Sequence, residues 1–262
     1  MNWRIGTSGY SYEDWREVYY PPDLPKGKML DFYAREFNTV EINSTYYGIP
    51  HPAVFYQMEK KTPPDFEFIV KLNQETTHHR RENKKAVEKL QEAIQPLADS
   101  GKLAGFLGQF PYSFKNTQEN REYLLQTREY CRNVPLFIEF RNHTWDTPPV
   151  YEFLQQNGFF NVNVDEPQLK GLVKPREVAG ELGYFRFHGR NAKDWWQGKG
   201  NDRYNYLYTA QEMDEWLIRI SRVLQKSYKT YIFFNNHPQG KAVQNAKMLK
   251  EMLDKQLDIL KS

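Results

Sequence analysis

Short apolar runs recur eight times along the chain, and nearly every one ends in charged or amide residues. They are Trp3–Ser8, Thr39–Thr45, Phe66–Leu72, Ala104–Phe110, Pro135–Arg141, Phe159–Asp165, Gly183–Arg190 and Thr230–His237. Stretches with helical spacing lie between most of them. This repeated strand–helix alternation predicts an α/β fold, a single (β/α)8 TIM barrel occupying residues 1–262. Within the runs apolar and polar residues alternate, as in Val40-Glu41-Ile42-Asn43, Phe137-Ile138-Glu139-Phe140-Arg141 and Phe185-Arg186-Phe187-His188. Side chains on a strand alternate faces. Helices outside a barrel need apolar partners, which sends Val40, Ile42, Ile138, Phe140, Phe185 and Phe187 outward. Glu41, Asn43, Glu139, Arg141, Arg186 and His188 are then expected to face the axis. A barrel interior is ordinarily branched and apolar, so a polar ring near its top points to function.

Helical spacing is clearest over Lys84–Ala98, Thr117–Cys131, Thr147–Asn157, Thr209–Lys226 and Lys241–Leu260. The last is periodic in Met248, Leu249, Met252, Leu253, Leu257 and Leu260, and is expected to close the barrel against the first helix. Two connections, Asn73–Asn83 and Asn191–Tyr208, are too long for simple turns. The second carries Trp195, Trp196, Tyr204, Tyr206 and Tyr208, an aromatic content that argues against disorder.

Bulk numbers agree with one soluble domain. The 262 residues suit one barrel, and aromatics at 16% supply a large core. No apolar run approaches the ~18 residues of a membrane span. The first residues lead directly into the first expected strand, so no signal peptide is expected. The single cysteine, Cys131, suits a reducing cytosol, so the expected location is cytoplasmic. A net charge of +3 does not by itself imply nucleic acid, although basic residues gather after strands three and seven.

The C-terminal mouth of such a barrel collects Glu41, Asn43, Lys71, Gln109, Glu139, Arg141, Asp165, Arg186, His188, Arg190, Asn235 and His237. Three chemistries compete for them. The first is anion binding after strands seven and eight. There Gly189 and Gly240 permit close backbone approach, and Arg186, Arg190 and Lys241 supply charge. The competing reading is a glycine turn with surface cations. The second is a divalent metal, because Glu41, Glu139 and Asp165 with His188 suit Mg, Mn or Zn. Against it stand internal ion pairs with Lys71, Arg141 and Arg186, and the lack of any short metal-ligand motif. The third is acid–base catalysis, with His188 as proton carrier and Glu41 or Glu139 as base. The segment Thr76–Arg81 is expected to reach over the mouth, with His78 and Arg81 as ligand contacts and His79 as an ordinary loop residue.

Several of these segments also resemble a known family. Ile5-Gly6-Thr7-Ser8-Gly9-Tyr10-Ser11-Tyr12 with Trp15 and Tyr20-Pro21 is similar to the start of DUF72 (YecE-like) proteins. So are Phe37–Tyr47, Thr77-His78, Gln109-Phe110-Pro111, Glu139-Phe140-Arg141-Asn142, Arg186–Arg190, and Phe234-Asn235-Asn236-His237 with Gly240, Ala242, Asn245 and Ala246. The resemblance runs from the first strand to the last helix and implies a (β/α)8 barrel. It supplies no activity and no catalytic residue to carry over, but its motifs coincide with the polar ring.

The sequence therefore reads as an enzyme, of hydrolase or lyase class, that acts by acid–base chemistry on a small anionic substrate, phosphorylated ones included. Its expected catalytic residues are Glu41, Glu139, Asp165 and His188. Its expected substrate contacts are Asn43, Lys71, His78, Gln109, Arg141, Arg186, Gly189, Arg190, Asn235, Asn236, Gly240 and Lys241. One alternative is a metal-dependent phosphodiesterase or nucleic-acid enzyme, with aromatics such as Trp195, Trp196 and Tyr204 to stack bases. The other is a non-catalytic ligand-binding protein, whose mouth would hold only mutually paired charges.

Overall fold

Alternating and apolar runs pair as parallel strands because each buries one face against helices and the other around a common axis. The computed structural model describes residues 2–261, with side chains from Asn2 to Gln256. Leu257 and Leu260, expected in the periodicity of the last helix, lie outside the described side chains. The strands are β1 (Trp3–Thr7), β2 (Thr39–Ile42), β3 (Glu67–Lys71), β4 (Leu103–Gln109), β5 (Leu136–Glu139), β6 (Phe159–Asn161), β7 (Asn163–Asp165), β8 (Leu182–Phe187) and β9 (Lys229–Phe234). The helices are α1 (Met29–Tyr33), α2 (Pro52–Lys60), α3 (Asn83–Ala93), α4 (Gln95–Asp99), α5 (Gln118–Tyr130), α6 (Pro148–Gln156), α7 (Ala210–Leu224) and α8 (Lys241–Lys261). The chain is an α/β barrel of parallel strands, as the alternation predicts. No helix among the described residues is long and apolar enough to cross a membrane.

The strands form two ladders, β2-β3-β4-β5-β6 and β1-β9-β8-β7, which meet at two seams. The sixth expected strand is split: β6 pairs with β5 and β7 pairs with β8. One continuous segment thus hands the barrel from one ladder to the other. Asn163 helps the transfer, its amide donating to the Tyr184 carbonyl at 3.2 Å. At the other seam β1 and β2 meet through a bridge between Ser8 and Glu41, where Gly9 N donates to the Glu41 carbonyl at 2.8 Å. Below it a phenol replaces the missing ladder. Thr7 N donates to the Tyr33 hydroxyl at 2.9 Å, and that hydroxyl donates to the Thr39 carbonyl at 3.1 Å. Gly6 makes this approach possible, since a Cβ there would meet the Thr39 carbonyl oxygen.

Several expected boundaries shift for local reasons. The helix expected over Lys84–Ala98 breaks at Ile94, ahead of Pro96, because proline cannot donate its backbone N–H. The connection Asn73–Asn83 contains a wide helical turn over Glu75–His79, stopped by Arg80 in the left-handed region at φ 58°. The expected strands ending at Arg190 and His237 stop at Phe187 and Phe234, so His188 and His237 lie just past the ladder. Glu166–Glu181 forms no helix before β8. The last helix packs beside β1, and its Lys247 pairs with Glu36 just after α1.

Two apolar cores follow from the parity. The larger, between strands and helices, holds Val40, Ile42, Ile138, Phe140, Phe185 and Phe187. The smaller fills the barrel with Ile69, Leu107, Phe137, Val162, Val164, Tyr184, Tyr231 and Phe233. Below it Glu67 takes Lys229 at 2.5 Å and the Tyr231 hydroxyl at 2.8 Å, which closes the N-terminal end. Above it begins the polar ring.

The phenol at the seam yields a test. Tyr33→Phe leaves a buried N–H and a buried carbonyl without their shared partner, and is expected to cost about 1–3 kcal/mol. Urea denaturation should show a lower midpoint with an unchanged slope.

Candidate functional site

Residues that follow the inward parity past the apolar core meet at the C-terminal mouth. Glu41 from β2, Glu139 from β5 and Arg186 from β8 form its base, all almost fully buried. Arg186 forks between the two acids, donating to Glu41 at 2.7 Å and to Glu139 at 2.5 Å. The Tyr184 hydroxyl donates to the other Glu41 oxygen at 2.6 Å. Arg141, past the end of β5, forms an ion pair with Glu139 at 2.8 Å and donates to Glu166 at 2.5 Å. Burial alone would push the Glu139 carboxyl up, but Arg141, Arg186 and His188 together hold it well below the usual range. Burial pushes Glu166 up to about 7 against the pull of Arg141.

His188 is wholly enclosed in this network. Its Nε2 lies 3.0 Å from an Arg141 nitrogen and 3.2 Å from Glu139, and its Nδ1 lies 2.9 Å from the Asn235 amide. Burial, reinforced by Arg141, lowers its pKa to about 3, so the ring is neutral. The Asn235 amide nitrogen donates to Nδ1, so the ring proton belongs on Nε2, where the Glu139 carboxylate accepts it.

Above this floor opens a cavity of about 520 Å³, within the size range of small-molecule sites. Lys71, Arg141, Arg186 and Arg203 line it, and among the described residues no carboxylate does. Its walls include Tyr12, Tyr46, Trp195 and Tyr204, and its polar lining includes Asn43, His78, Gln109, Asn235 and His237. Asn43 Oδ1 and Arg186 Nε have no hydrogen-bond partner among the described residues. Lys71 donates to Gln109 Oε1 at 3.0 Å and sits 4.7 Å over the Tyr46 ring. Burial, and then the nearby Arg186, lowers its pKa to about 7. The turn after β3 places His78 edge-on to Tyr46 at 5.0 Å. Asn73 holds that turn to the β2 loop, donating to the Thr45 carbonyl at 2.8 Å.

The expected residues thus divide. Glu41, Glu139 and His188 converge, but beneath the cavity rather than in its wall. Asn43, Lys71, His78, Gln109, Arg141, Arg186 and Asn235 line it or its floor. Asp165 does not join them. Around β7 the inward residues are Val162, just before the strand, and Val164, level with Arg186, and the same parity brings in Glu166 instead. Asp165 points to the helix side and receives Arg190 at 2.9 Å. Arg190 also pairs with Glu212 at 3.0 Å, and Gly189 N donates to the Tyr208 hydroxyl at 2.8 Å. Asn236 is tied to Asn245 and the Tyr206 carbonyl. Lys241 pairs with Asn205. At the start of the last helix Asp14 already accepts the Gln239 N–H at 2.7 Å. Gly189, Arg190, Asn236, Gly240 and Lys241 therefore brace the loops after β8 and β9 and do not form an open anion cradle. Arg81 is exposed, and His79 pairs with Glu75 within its own turn.

Sequence reasoning missed Glu166, Tyr184, Arg203 and Tyr12. Tyr184 shares the parity of Arg186 and could have been placed by it. Glu166 required the reversed parity of β7. Among the described residues no three His, Cys, Asp or Glu side chains converge as a metal-binding group. Glu41 and Glu139, the acids that would have served, are taken by arginines and by Tyr184.

Comparison with known proteins places this architecture. The family model described as "Protein of unknown function DUF72" matches residues 4–262. The UPF0759 protein YunF of Bacillus subtilis is 32% identical over 268 aligned positions, covering 95% of this chain and 94% of that protein. UPF0759 protein YecE of Escherichia coli is 41% identical over a shorter stretch of 49, 19% of this chain and 18% of YecE. A solved DUF72 structure from Thermotoga maritima superposes with a TM-score of 0.90 at 39% identity, covering 97% of this chain and 100% of that one. Another from Enterococcus faecalis gives 0.85 at 30% identity, covering 96% and 95%. The fold, the shared length and the match from first strand to last helix make this chain a member of the DUF72 family.

Proposed function

We propose that the protein is an enzyme that binds a small anionic substrate in the barrel mouth and uses Lys71 as its proton-transferring group. The observation that carries this reading is the composition of the cavity wall: among the described residues, four cationic side chains and not one carboxylate. Arg141 and Arg186 are held rigid from below by Glu139, Glu166 and Glu41, so their remaining donors are preorganised for an anion. Lys71 is steadied instead by an amide oxygen and an aromatic face. An amine that titrates near 7 exchanges protons at ordinary pH, which suits a general acid or base. His188 is better suited to bracing Glu139 than to carrying protons, because it is enclosed and neutral. The exposed ring of Trp196, edge-on to Tyr112 at 5.2 Å, also favours substrates with a flat apolar portion beside the anion.

Sulfate, whose charge is constant above about pH 3, is a suitable probe, with Trp195 and Trp196 as fluorescent reporters. The titration should saturate. Affinity should fall about tenfold between pH 6 and pH 8, as Lys71 passes from mostly charged to mostly neutral. Lys71→Met should reduce this pH dependence to the part that Glu166, raised to about 7 behind Arg141, contributes. A fluorescence signal that does not saturate, or that Lys71→Met leaves untouched, removes the cavity as an anion site.

Stability should move the opposite way. The Lys71 pKa is lowered by folding, so its desolvation weighs most on the folded state below pH 7 and fades as pH rises toward the unfolded value near 10.5. Lys71→Met is therefore expected to stabilise the protein by roughly 2–4 kcal/mol at pH 6–7, and by less at each step toward pH 10. Thermal melts of both proteins across that range check the sign.

A further inference from the structure

Lys71 is the lysine that lines the cavity. Its surroundings differ from those of a lysine kept for charge. The acids nearest the floor are already satisfied: Glu41 by Arg186 and Tyr184, Glu139 by Arg186 and Arg141. Its nitrogen is steadied by Gln109 at 3.0 Å and lies over the Tyr46 ring at 4.7 Å. An acid partner would lock the amine as ammonium; an amide oxygen and a ring face orient it without doing so. Lys71 is also at the C-terminal end of β3, where barrels present reacting groups. Two arginines anchored from below share the same cavity.

We infer that Lys71 is a covalent nucleophile that forms an iminium with an aldehyde or ketone whose other end is a carboxylate or phosphate held by Arg141 and Arg186. This rests on the anion-binding reading above, keeps its site, and puts covalent attachment in place of proton transfer as the role of Lys71. The nitrogen lone pair attacks the carbonyl carbon, and the carbinolamine loses water to give the C=N bond. Counted from the ammonium, one proton stays on the iminium nitrogen and two leave with the carbonyl oxygen as water. No oxidant, reductant or second reactant is consumed. The near-neutral titration of Lys71 leaves a usable share of free amine at pH 7. The iminium then acts as an electron sink for proton removal or bond cleavage beside the former carbonyl carbon.

Reductive trapping tests it on the full chain. The protein is incubated with glyoxylate, or with pyruvate, then treated with sodium borohydride, digested and mapped by mass spectrometry. The expected result is a reduced adduct on Lys71 far ahead of the surface lysines, with a labelling midpoint near pH 7 and suppression by saturating sulfate. Lys71→Arg, which keeps the charge, should lose that adduct while other lysines label as before. Should that variant fail to fold, the pH profile of labelling in the unaltered protein decides the same question. Saturable sulfate binding with no preferential adduct on Lys71 overturns the covalent role and leaves the anion site standing. A Lys71 adduct that forms as fast with neutral acetaldehyde, and that sulfate does not suppress, overturns the anionic substrate class instead.

Discussion

The Arg186 guanidinium, forked between Glu41 and Glu139 inside the barrel, is the interaction on which the site depends. Three charges buried without water would be prohibitive one at a time. Together they are tolerable because the planar fork matches two carboxylates, and Tyr184 and Arg141 take up remaining acid oxygens. Burial would lower the Arg186 pKa, but Glu139 and Glu41 more than offset it, so the guanidinium stays charged. The arrangement ties β2, β5 and β8 across the axis. It replaces the top apolar layer of an ordinary barrel with a rigid polar floor.

That floor decides what the mouth can do. Three acids, Glu41, Glu139 and Glu166, face three bases, Arg186, Arg141 and Lys71. The arginines pair with all three acids, Glu166 included, and leave Lys71 without one; Glu166, raised by burial, and Lys71, lowered by it, both titrate near 7. The group can therefore hold or release a proton without leaving a large uncompensated charge. An arriving anion favours the charged form of Lys71, and a departing one favours the neutral form. Because the acids lie beneath the arginines, the ligand meets cations and aromatic rings.

Most of this floor was legible in the sequence because strand parity is a local property. Val40-Glu41-Ile42 and Phe185-Arg186-Phe187 each carry an apolar face that must meet helices, so Glu41 and Arg186 had to point inward. The rule inverted at Asn163-Val164-Asp165. There the interior side is the apolar one, Val162 and Val164 filling the barrel, and Asp165 is drawn outward by Arg190. Nothing in a short alternation says which face is inside when both are covered; the answer lies in Arg190, 25 residues away. The expected anion cradle after the last two strands failed for the same kind of reason. Asp14 occupies the start of the last helix from the far end of the chain, and Glu212 with Asp165 consumes Arg190. Residue type and position suggested a site, but long-range partners had already satisfied it.

The seam between β1 and β2 links this site to the stability of the barrel. Glu41 supplies both the carboxylate that anchors Arg186 and the backbone carbonyl that receives Gly9 N. Its backbone is placed by the bridge to Ser8, and the approach of the strands is set by Gly6 and the Tyr33 hydroxyl. Displacing β1 from β2 therefore moves a fork partner of Arg186, and through Glu139 it reaches Arg141. A rigid floor transmits such a shift because buried ion pairs lose much of their benefit when their geometry is imperfect. A break in the ladder and the most demanding electrostatic contact thus meet at one residue. This is a physical reason for a phenol and a glycine to stand where two strands would otherwise pair through their backbones.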